Sequence, residues 1–263
     1  MADGANPPLY RAHALSFSVE ETRILSPLAL DVHAGSMVGI IGPNGSGKST
    51  LVKLLARQQA PSGGALWLCG RPVGSYGDRA FARTVAYMPQ FTPPADGMSV
   101  AELVALGRFP WHGALGRFSD DDRAMVDQAL RRTDLTRFSD RLVDSLSGGE
   151  RQRCWLAMML AQNTRCLILD EPTSALDVAH QAEMLELVRD LTRERGIAAI
   201  VVLHDVNMAA RYCDEIVALK RGAVVARGAP ADLVTAETLG ALYGLPMGIL
   251  PHPVTGQPLG YVV

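Results

Sequence analysis

The chain has 263 residues, 48% of them hydrophobic, and its 25 basic and 27 acidic residues leave a net charge of −2. That length can bury a sizeable core in one large domain or two small ones. A nearly neutral chain without a block of like charge lacks the electrostatic footprint of a nucleic-acid or membrane-surface protein. The longest strand-like apolar run, residues 197–203, is far shorter than the ~20 residues of a transmembrane helix, so we expect a soluble protein.

The N-terminal residues and the cysteines bear on the compartment. Residues 1–23 contain no basic segment followed by an apolar core, so we expect no signal peptide. Residues 1–11 are polar, with two prolines, and are expected to be loosely held. No pair of cysteines has C-x-x-C spacing, which predicts buried, reduced thiols in a cytosolic protein. The cysteines are Cys69, Cys154, Cys166 and Cys213.

The N-terminal part of the chain has the patterns of β-strands. Apolar and polar residues tend to alternate over 12–19 and 28–33, which predicts two half-exposed strands. A wholly apolar run at 37–41 predicts a buried strand. After a turn at Gly63-Gly64, shorter strands are predicted at 65–69 and 85–88.

Beyond residue 91 the pattern becomes helical. Apolar residues recur at helical spacing over 99–106 and 119–135, and the connection 107–113 is rich in aromatic residues. The triplet Asp120-Asp121-Asp122 has the composition of a metal site, but it follows Ser119 and opens a helical stretch. Because acidic residues stabilise a helix N-terminus, we interpret the triplet as a helix start.

Strands and helices alternate in the C-terminal part of the chain. Strands are predicted at 166–169, 198–203, 216–219 and 224–226, with a long helix over 178–195. This alternation implies an α/β fold with a largely parallel sheet covered on both faces. The Gly- and Pro-rich tail, 244–260, has no periodicity, and no secondary structure is predicted there.

A glycine-rich segment between the buried strand and a helical stretch fits the pattern G-x-x-x-x-G-K-[ST]. We name it the phosphate loop; its residues are Gly42, Pro43, Asn44, Gly45, Ser46, Gly47, Lys48, Ser49 and Thr50. Glycines let backbone N–H groups crowd round a polyphosphate, and the helix N-terminus adds partial positive charge. Lys48 is placed to reach the β- and γ-phosphates and Ser49 to ligate Mg²⁺, so ATP and Mg²⁺ are the expected cofactors.

Two carboxylates follow the apolar strand at 166–169. Asp170 and Glu171 stand at its carboxyl end, where open α/β sheets bind their ligands. Taken alone, the pair could be an ordinary acidic turn before Pro172. Beside a phosphate loop, we interpret Asp170 as a Mg²⁺ ligand, directly or through water. Glu171 is then the base that orients and deprotonates the attacking water.

A second anion site is predicted where a helix begins after Leu146. Ser147, Gly148 and Gly149 offer bare backbone donors at the positive end of that helix. One nucleotide needs only one such cradle. We therefore expect the second cradle to close on the nucleotide of another subunit.

These motifs, together with Gln90, the segment 174–177 and His204, occur in the order of an ABC-transporter ATPase subunit, which the chain resembles. The resemblance implies a single ABC ATPase domain of the α/β P-loop NTPase class. Its RecA-like core would comprise about 1–90 and 164–243, with an N-terminal antiparallel β subdomain. A helical subdomain would occupy about 91–163, and a tail would follow at 244–263.

The resemblance also implies roles for single residues. Gln90 would ligate Mg²⁺, sense the attacking water and couple to a permease, while His204 would contact the γ-phosphate. Asp177 would tune a dimer interface. Ser147 and Gly149 would meet the γ-phosphate held by the partner, so the expected assembly is a dimer with ATP sandwiched between the two copies.

Longer segments are similar to the ATP-binding subunits of bacterial ferric-hydroxamate importers. The similarity covers nearly all of the chain from about Leu15 and is carried by 93–98, 107–113, 205–213 and 244–251. It implies a transmembrane permease, moved through the surface around 90–118, as a direct partner. A periplasmic or lipoprotein substrate-binding protein would be an indirect partner. The expected location is the cytoplasmic face of the inner membrane, as a peripheral subunit.

The chain departs from the family pattern at two positions. Val19 stands where the family usually has an aromatic residue that stacks on adenine, which predicts weaker base discrimination. Glu150 stands where Gln is commonest. We expect this second change to be tolerated, because the phosphate contacts come earlier in the motif.

Other functions remain as alternatives. Within importers, the cargo could be cobalamin or haem. A soluble ABC-type ATPase of another pathway is a different class, but repair members insert coiled coils between Gln90 and Ser147, where no sustained heptads occur. Translation members carry two cassettes, whereas this chain has no internal repeat. A scaffold without turnover is disfavoured because Glu171 and His204 are both present.

Overall fold

The computed structural model describes residues 7–113, 116–174 and 176–263. Residues 1–6 of the predicted loose N-terminus and Ala175 of the segment 174–177 therefore lie outside the described residues. The strands are β1 Tyr10–Val19, β2 Thr22–Val32, β3 Met37–Ile41, β4 Gly63–Leu68, β5 Arg71–Pro72, β6 Val85–Met88, β7 Cys166–Asp170, β8 Ala198–Val202, β9 Glu215–Lys220, β10 Ala223–Gly228, β11 Met247–Pro251 and β12 Pro258–Val262. The helices are α1 Lys48–Leu55, α2 Asp78–Ala82, α3 Val100–Leu106, α4 Phe109–His112, α5 Asp120–Arg132, α6 Gly148–Ala161, α7 Val178–Arg195, α8 Val206–Tyr212, α9 Pro230–Leu233 and α10 Ala236–Tyr243.

The chain forms two compact units, one made of Met1–Ser75 with Arg189–Val263 and the other of Tyr76–Val188. The strands and helices predicted between residues 12 and 226 are confirmed, with their ends shifted by a few residues. The subdomain bounds implied by the family resemblance stay a prediction. None of the helices formed by the described residues combines the length and apolarity that a bilayer crossing requires.

The first unit contains two sheets that prepare the position of the phosphate loop. Strands β2, β1, β4 and β5 form an antiparallel sheet in that order. In the second sheet β3 lies between β8 and β9 and is parallel to both. All five residues of β3 are buried, as expected for a central parallel strand covered on both faces. The phosphate loop follows at the carboxyl end of this fixed strand.

The start of β1 corrects the prediction for residues 1–11. Leu9 and Tyr10 are buried, and Tyr10 pairs with Val32 on one side and Leu68 on the other. The Tyr10 hydroxyl also donates a hydrogen bond of 2.8 Å to the Leu55 carbonyl. The expectation of a loosely held segment is therefore wrong from Leu9 onward, because strand pairing fixes residues whose local composition is polar.

The second unit contains a parallel strand pair, β6 with β7, and a helical cluster in which α3, α5 and α6 pack together. Each of these helices begins with a capping box: Ser99 with Glu102, Ser119 with Asp122, and Ser147 with Glu150. The helix-start interpretation of the Asp120–Asp122 triplet is thus confirmed. Within the described residues, no cluster of three or more His, Cys, Asp or Glu side chains could hold a metal ion.

The C-terminal tail also differs from the prediction. No secondary structure is predicted over 244–260, but β11 and β12 form an antiparallel hairpin there that extends to Val262. The hairpin is fastened to α8 by Asn207. The Asn207 amide donates to the Gly260 carbonyl at 3.1 Å, and the Gly260 N–H donates back to Asn207 Oδ1 at 2.8 Å. A Cβ at Gly260 would lie 2.5 Å from Leu239 Cδ1, so a larger residue there would require the Leu239 side chain to move.

We predict that Asn207→Ala loosens this hairpin, because both side-chain hydrogen bonds to Gly260 disappear. Two such bonds are worth about 1–3 kcal/mol, which lowers the melting temperature of a chain of this size by a few degrees. Hydrogen exchange across 247–262 should accelerate. Asn207→Asp keeps the acceptor for the Gly260 N–H and should lose only part of the effect. Unchanged melting and exchange in Asn207→Ala would contradict the role of this clamp.

Candidate active site

The phosphate loop takes backbone angles that only glycine adopts easily. Gly42, Gly45 and Gly47 have φ of 149°, 74° and 98°. At Gly42 no side chain can be accommodated, because a Cβ there would lie 2.0 Å from the Leu219 carbonyl oxygen. The loop conformation therefore depends on the absence of side chains, as a backbone cradle for an anion requires.

One buried polar group in the phosphate loop, the Ser46 hydroxyl, indicates the kind of ligand that suits the loop. Ser46 is buried, and within the described part of the chain its hydroxyl has no hydrogen-bond partner, although its carbonyl accepts from the Gly222 N–H at 3.0 Å. A buried hydroxyl without a partner costs stability unless a ligand or water satisfies it. Together with the glycine backbone, this hydroxyl fits a bound polyphosphate.

Lys48 supplies the positive charge of the loop. Its side chain is buried, and Nζ donates to the carbonyls of Gly42 at 2.8 Å and Pro43 at 3.2 Å. These bonds hold the ammonium group over the loop at the N-terminus of α1. Ser49, the next residue of α1, is half-buried. A cation and a helix N-terminus acting on the same small volume favour a polyanion there.

The second unit holds the predicted catalytic carboxylates. Asp170 ends β7 and is 1% exposed, and Glu171 follows it at 7% exposed. The Gln90 amide nitrogen donates to Glu171 Oε2 at 2.6 Å, so the structure brings these two predicted residues together. Glu171 has φ of 52°, in the left-handed region that costs a residue with a Cβ energy. Strain of this kind is typical of residues held for function.

Tyr87 is a neighbour of this site that the sequence interpretation missed. Burial, reinforced by the charge of Asp170, raises the pKa of Tyr87 to about 12. Its hydroxyl is buried without a hydrogen-bond partner among the described residues. The phenol therefore stays protonated and keeps its O–H available as a hydrogen-bond donor. The available signal was its place on β6, the strand that pairs with β7.

The oxygen donors predicted for Mg²⁺ suit that ion chemically. Ser49 offers a hydroxyl in the first unit, while Gln90 and Asp170 offer an amide oxygen and a carboxylate in the second. Mg²⁺ prefers hard oxygen ligands and usually takes few from the protein, with water and phosphate completing the shell.

The start of α6 presents the second predicted anion site. The Ser147 hydroxyl donates to Glu150 Oε2 at 2.8 Å, and the Glu150 N–H donates to the Ser147 hydroxyl at 3.3 Å. Hydrogen bonds from the Ser147 backbone N–H and hydroxyl lower the pKa of Glu150, so this residue is an anionic cap. Glu150 thus does in the capping box what Gln would do, which gives its departure from the family pattern a physical role.

The remaining predicted residues lie at exposed positions. His204 is exposed between β8 and α8, and Asp205 caps α8 by accepting from the Asn207 N–H at 2.7 Å. Asp177 is exposed just before α7 and accepts from the His180 N–H at 2.9 Å. This hydrogen bond is the main cause that lowers the pKa of Asp177. Val19, at the position of the family's adenine-stacking residue, is exposed on β1.

Residues 25–174 match the family model described as ABC transporter. The chain belongs to the ABC transporter family. This ABC ATPase is 41% identical over 249 residues to the ferric enterobactin transport ATP-binding protein FepC of Escherichia coli, covering 95% of the chain and 92% of FepC. It is 38% identical over 236 residues to the iron(3+)-hydroxamate import ATP-binding protein FhuC of Bacillus subtilis, covering 90% and 88%.

Solved structures give the same result for the fold of this ABC ATPase. An inward-facing ABC transporter assigned to the metal-chelate type matches 98% of the chain and 97% of its own, with a TM-score of 0.85 and 27% identity. The dimeric bacterial cassette MJ0796 matches 84% and 98%, with a TM-score of 0.74 and 27% identity. The predicted ABC ATPase fold is confirmed. The chain is an ATP-hydrolysing transporter subunit, and cassettes of its family form dimers and bind ATP and ADP.

We predict that Lys48→Ala weakens nucleotide binding itself, because the loop loses the cation that faces the phosphates. The affinity for ATP should fall by about tenfold or more, measured by isothermal titration calorimetry. Lys53→Ala is a matched control, since this exposed lysine lies further along the same helix. Equal ATP affinity in Lys48→Ala and Lys53→Ala would contradict the assignment of the phosphate loop.

Proposed function

We propose that the chain is the motor subunit of an inner-membrane importer for ferric siderophores, with ferric hydroxamates as the cargo. The main support is the agreement between the sequence resemblance and the names of the relatives. FhuC is an iron(3+)-hydroxamate import protein, FepC serves ferric enterobactin, and a relative in Dickeya dadantii serves achromobactin. A cobalamin or haem importer is the runner-up, and a soluble non-transport ATPase is the alternative from another class.

In the proposed mechanism each residue has a defined task, and Gln90 has two. The phosphate loop and Lys48 bind and orient the triphosphate, and Ser49, Asp170 and Gln90 would hold the metal. Bound Mg²⁺ would neutralise charge on the phosphates. Glu171, positioned by Gln90 at 2.6 Å, takes the proton of the attacking water, while His204 contacts the γ-phosphate.

The proposed assembly is a head-to-tail pair of chains. One nucleotide is held between the phosphate loop of one chain and Ser147, Gly148 and Gly149 of its partner, with Asp177 at the interface. The support is a second helix start built for an anion, where an exposed Gly148 and a half-buried Gly149 follow a serine cap. A C2 pair of this kind makes two equivalent sites.

The permease is proposed to dock on an aromatic surface of the second unit. We name this the docking surface and define it by Phe91, Phe109 and Phe118. All three are exposed, Phe91 at 83%, Phe109 at 49% and Phe118 at 41%. Large aromatic side chains are enriched where proteins bind each other, and their exposure on a soluble chain points to a partner. A permease partner places the subunit at the cytoplasmic face of the inner membrane.

We predict that Glu171→Gln retains ATP binding but loses most of its turnover. The amide has the shape of the carboxylate and still accepts from Gln90, but it cannot take a proton. A positioned base contributes about 10²- to 10⁴-fold, so the rate of phosphate release should fall by that factor. Glu186→Gln, at an exposed position on α7, is the control. Turnover near that of the unmodified chain would remove Glu171 from the mechanism.

The cargo is tested in liposomes that contain the chain and the permease that copurifies with it. The substrate-binding protein of the same uptake system is loaded in turn with ferrichrome, a ferric catecholate, cobalamin and haem. We expect ferrichrome loading to give the largest rise in ATP hydrolysis. A larger rise with cobalamin or haem would refute the siderophore assignment, and failure of any permease to copurify would favour the soluble ATPase.

A further inference from the structure

The connection between α3 and α4, and α4 itself, are each fastened to the C-terminal end of α6 by one side chain, Arg108 in the connection and Trp111 in α4. Arg108 Nη1 donates to the Ala161 carbonyl at 2.8 Å, and Trp111 Nε1 donates to the Gln162 carbonyl at 2.8 Å. Ala161 is the last residue of α6, and Gln162 is its C-cap. The last carbonyls of a helix have no partner within the helix, and a cation there also meets the negative end of the dipole. Both side chains therefore donate to carbonyls that have no hydrogen-bond partner within α6.

Backbone packing at Gly107 supports the same attachment independently. A Cβ at Gly107 would lie 2.1 Å from the Met158 carbonyl oxygen. The connection thus passes directly against the backbone of α6, with no space for a side chain. A contact this close fixes the distance between the two segments, because well-packed backbones do not compress.

Arg108 is built into the protein more deeply than a surface arginine. It is 6% exposed, and its Nε donates to Asp122 Oδ1 at 2.8 Å. Burial alone would raise the pKa of Asp122, but hydrogen bonds from Ser119 and Arg108 outweigh it and lower the pKa to about 2. The pair is therefore charged throughout the physiological range. A buried ion pair adds little net stability over a well-packed apolar pair, so a positional role is the better explanation for it.

Helix α6 joins two functional ends of the second unit. Its N-terminal end carries Ser147, proposed to meet the partner's nucleotide, and its C-terminal end accepts the bonds from Arg108 and Trp111. The same connection leads into α4, which displays Phe109 of the docking surface. A helix of 14 residues is a rigid rod about 20 Å long, so a displacement of one end also displaces the other.

We propose that Arg108 is a positioning residue that couples the docking surface to Ser147 by locking the α3–α4 connection onto the end of α6, with Trp111 as its second anchor. This inference rests on the proposed function, because it needs both the permease and the partner's nucleotide. Arg108 touches neither of them itself. Its effect is on how strongly binding of the permease and its loaded substrate-binding protein changes the rate of ATP hydrolysis.

Arg83 provides a matched control on the same connection. Its guanidinium lies 5.0 Å from the centroid of the Trp111 ring, the same distance as that of Arg108. Its hydrogen bonds go to the carbonyls of Pro110 at 2.9 Å and Trp111 at 3.0 Å. In the described structure Arg83, at the end of α2, thus holds α4, while Arg108 holds the α3–α4 connection to α6. Substituting each arginine separates the shape of the connection from its attachment to α6.

The test compares Arg108→Lys, Trp111→Phe and Arg83→Ala, each reconstituted in liposomes with the copurifying permease. Lysine can keep the ion pair with Asp122 but cannot also reach the Ala161 carbonyl, and phenylalanine keeps the ring but loses the N–H donor. We expect Arg108→Lys and Trp111→Phe to keep the melting temperature and the basal ATPase rate of the isolated subunit. The stimulation of hydrolysis by the ferrichrome-loaded binding protein should fall by about fivefold or more, the lower end of typical coupling strengths. Arg83→Ala should keep this stimulation within about twofold.

Wild-type stimulation in both Arg108→Lys and Trp111→Phe would overturn the inference. An equal loss in Arg83→Ala would also overturn it, because the shape of the connection rather than its attachment to α6 would then be the cause. If Arg108→Lys fails to fold, Trp111→Phe alone decides, since its side chain is partly exposed. A wild-type chain that the permease and loaded binding protein do not stimulate would instead refute the proposed function.

Discussion

The structure depends on a backbone cradle that only glycine can form. At Gly42 the chain turns so close to the Leu219 carbonyl that any side chain would collide with it, and Gly45 and Gly47 continue in left-handed conformations. These turns place the Gly42 carbonyl where it accepts from Lys48 Nζ, which holds the ammonium group over the loop. The cost in local conformational freedom is offset by the fixed surroundings, a wholly buried β3 on one side and α1 on the other. In the proposed mechanism, phosphate binding is thus mainly a property of the backbone, and the side chains add charge and a metal ligand.

The second unit holds charged groups in defined positions. Among its described residues, no cluster of three or more His, Cys, Asp or Glu side chains could hold a metal ion. Glu171 is kept in a strained backbone conformation and bonded to Gln90. Ser147 is kept by the carboxylate of Glu150, and Arg108 by that of Asp122. In each case a short polar contact fixes the orientation of a residue. Glu171 and Ser147 have tasks in the proposed mechanism, and Arg108 has a task in the proposed coupling. Such preorganisation avoids reorganising charges during the reaction.

Much of this arrangement could be predicted from the sequence, because its signals are local. The phosphate loop, the carboxylates after β7 and the helix start at Ser147 each occupy a few consecutive residues with distinctive chemistry. The tail hairpin could not be predicted, because it depends on Asn207 of a distant helix and on pairing within a Gly- and Pro-rich segment. The hydrogen bond from Arg108 to the Ala161 carbonyl also could not be predicted. The two residues are far apart in the sequence, and a backbone carbonyl carries no side-chain signal. Family resemblance supplied the roles of Gln90, which alone would pass for a turn residue, and of His204, which alone would pass for a capped or surface histidine.

The central claim is that nucleotide is gripped by the phosphate loop of one chain and by Ser147 of another. The most direct measurement is ATP hydrolysis by Ser147→Arg chains, by Lys48→Ala chains and by equal mixtures of the two. Each variant alone should be inactive, because every site then contains the defect. In a mixture, half of the randomly formed pairs are mixed, and each mixed pair has one intact site, so up to about a quarter of wild-type activity should return. Wild-type hydrolysis by Ser147→Arg alone would contradict the account, since the site would then be complete within a single chain.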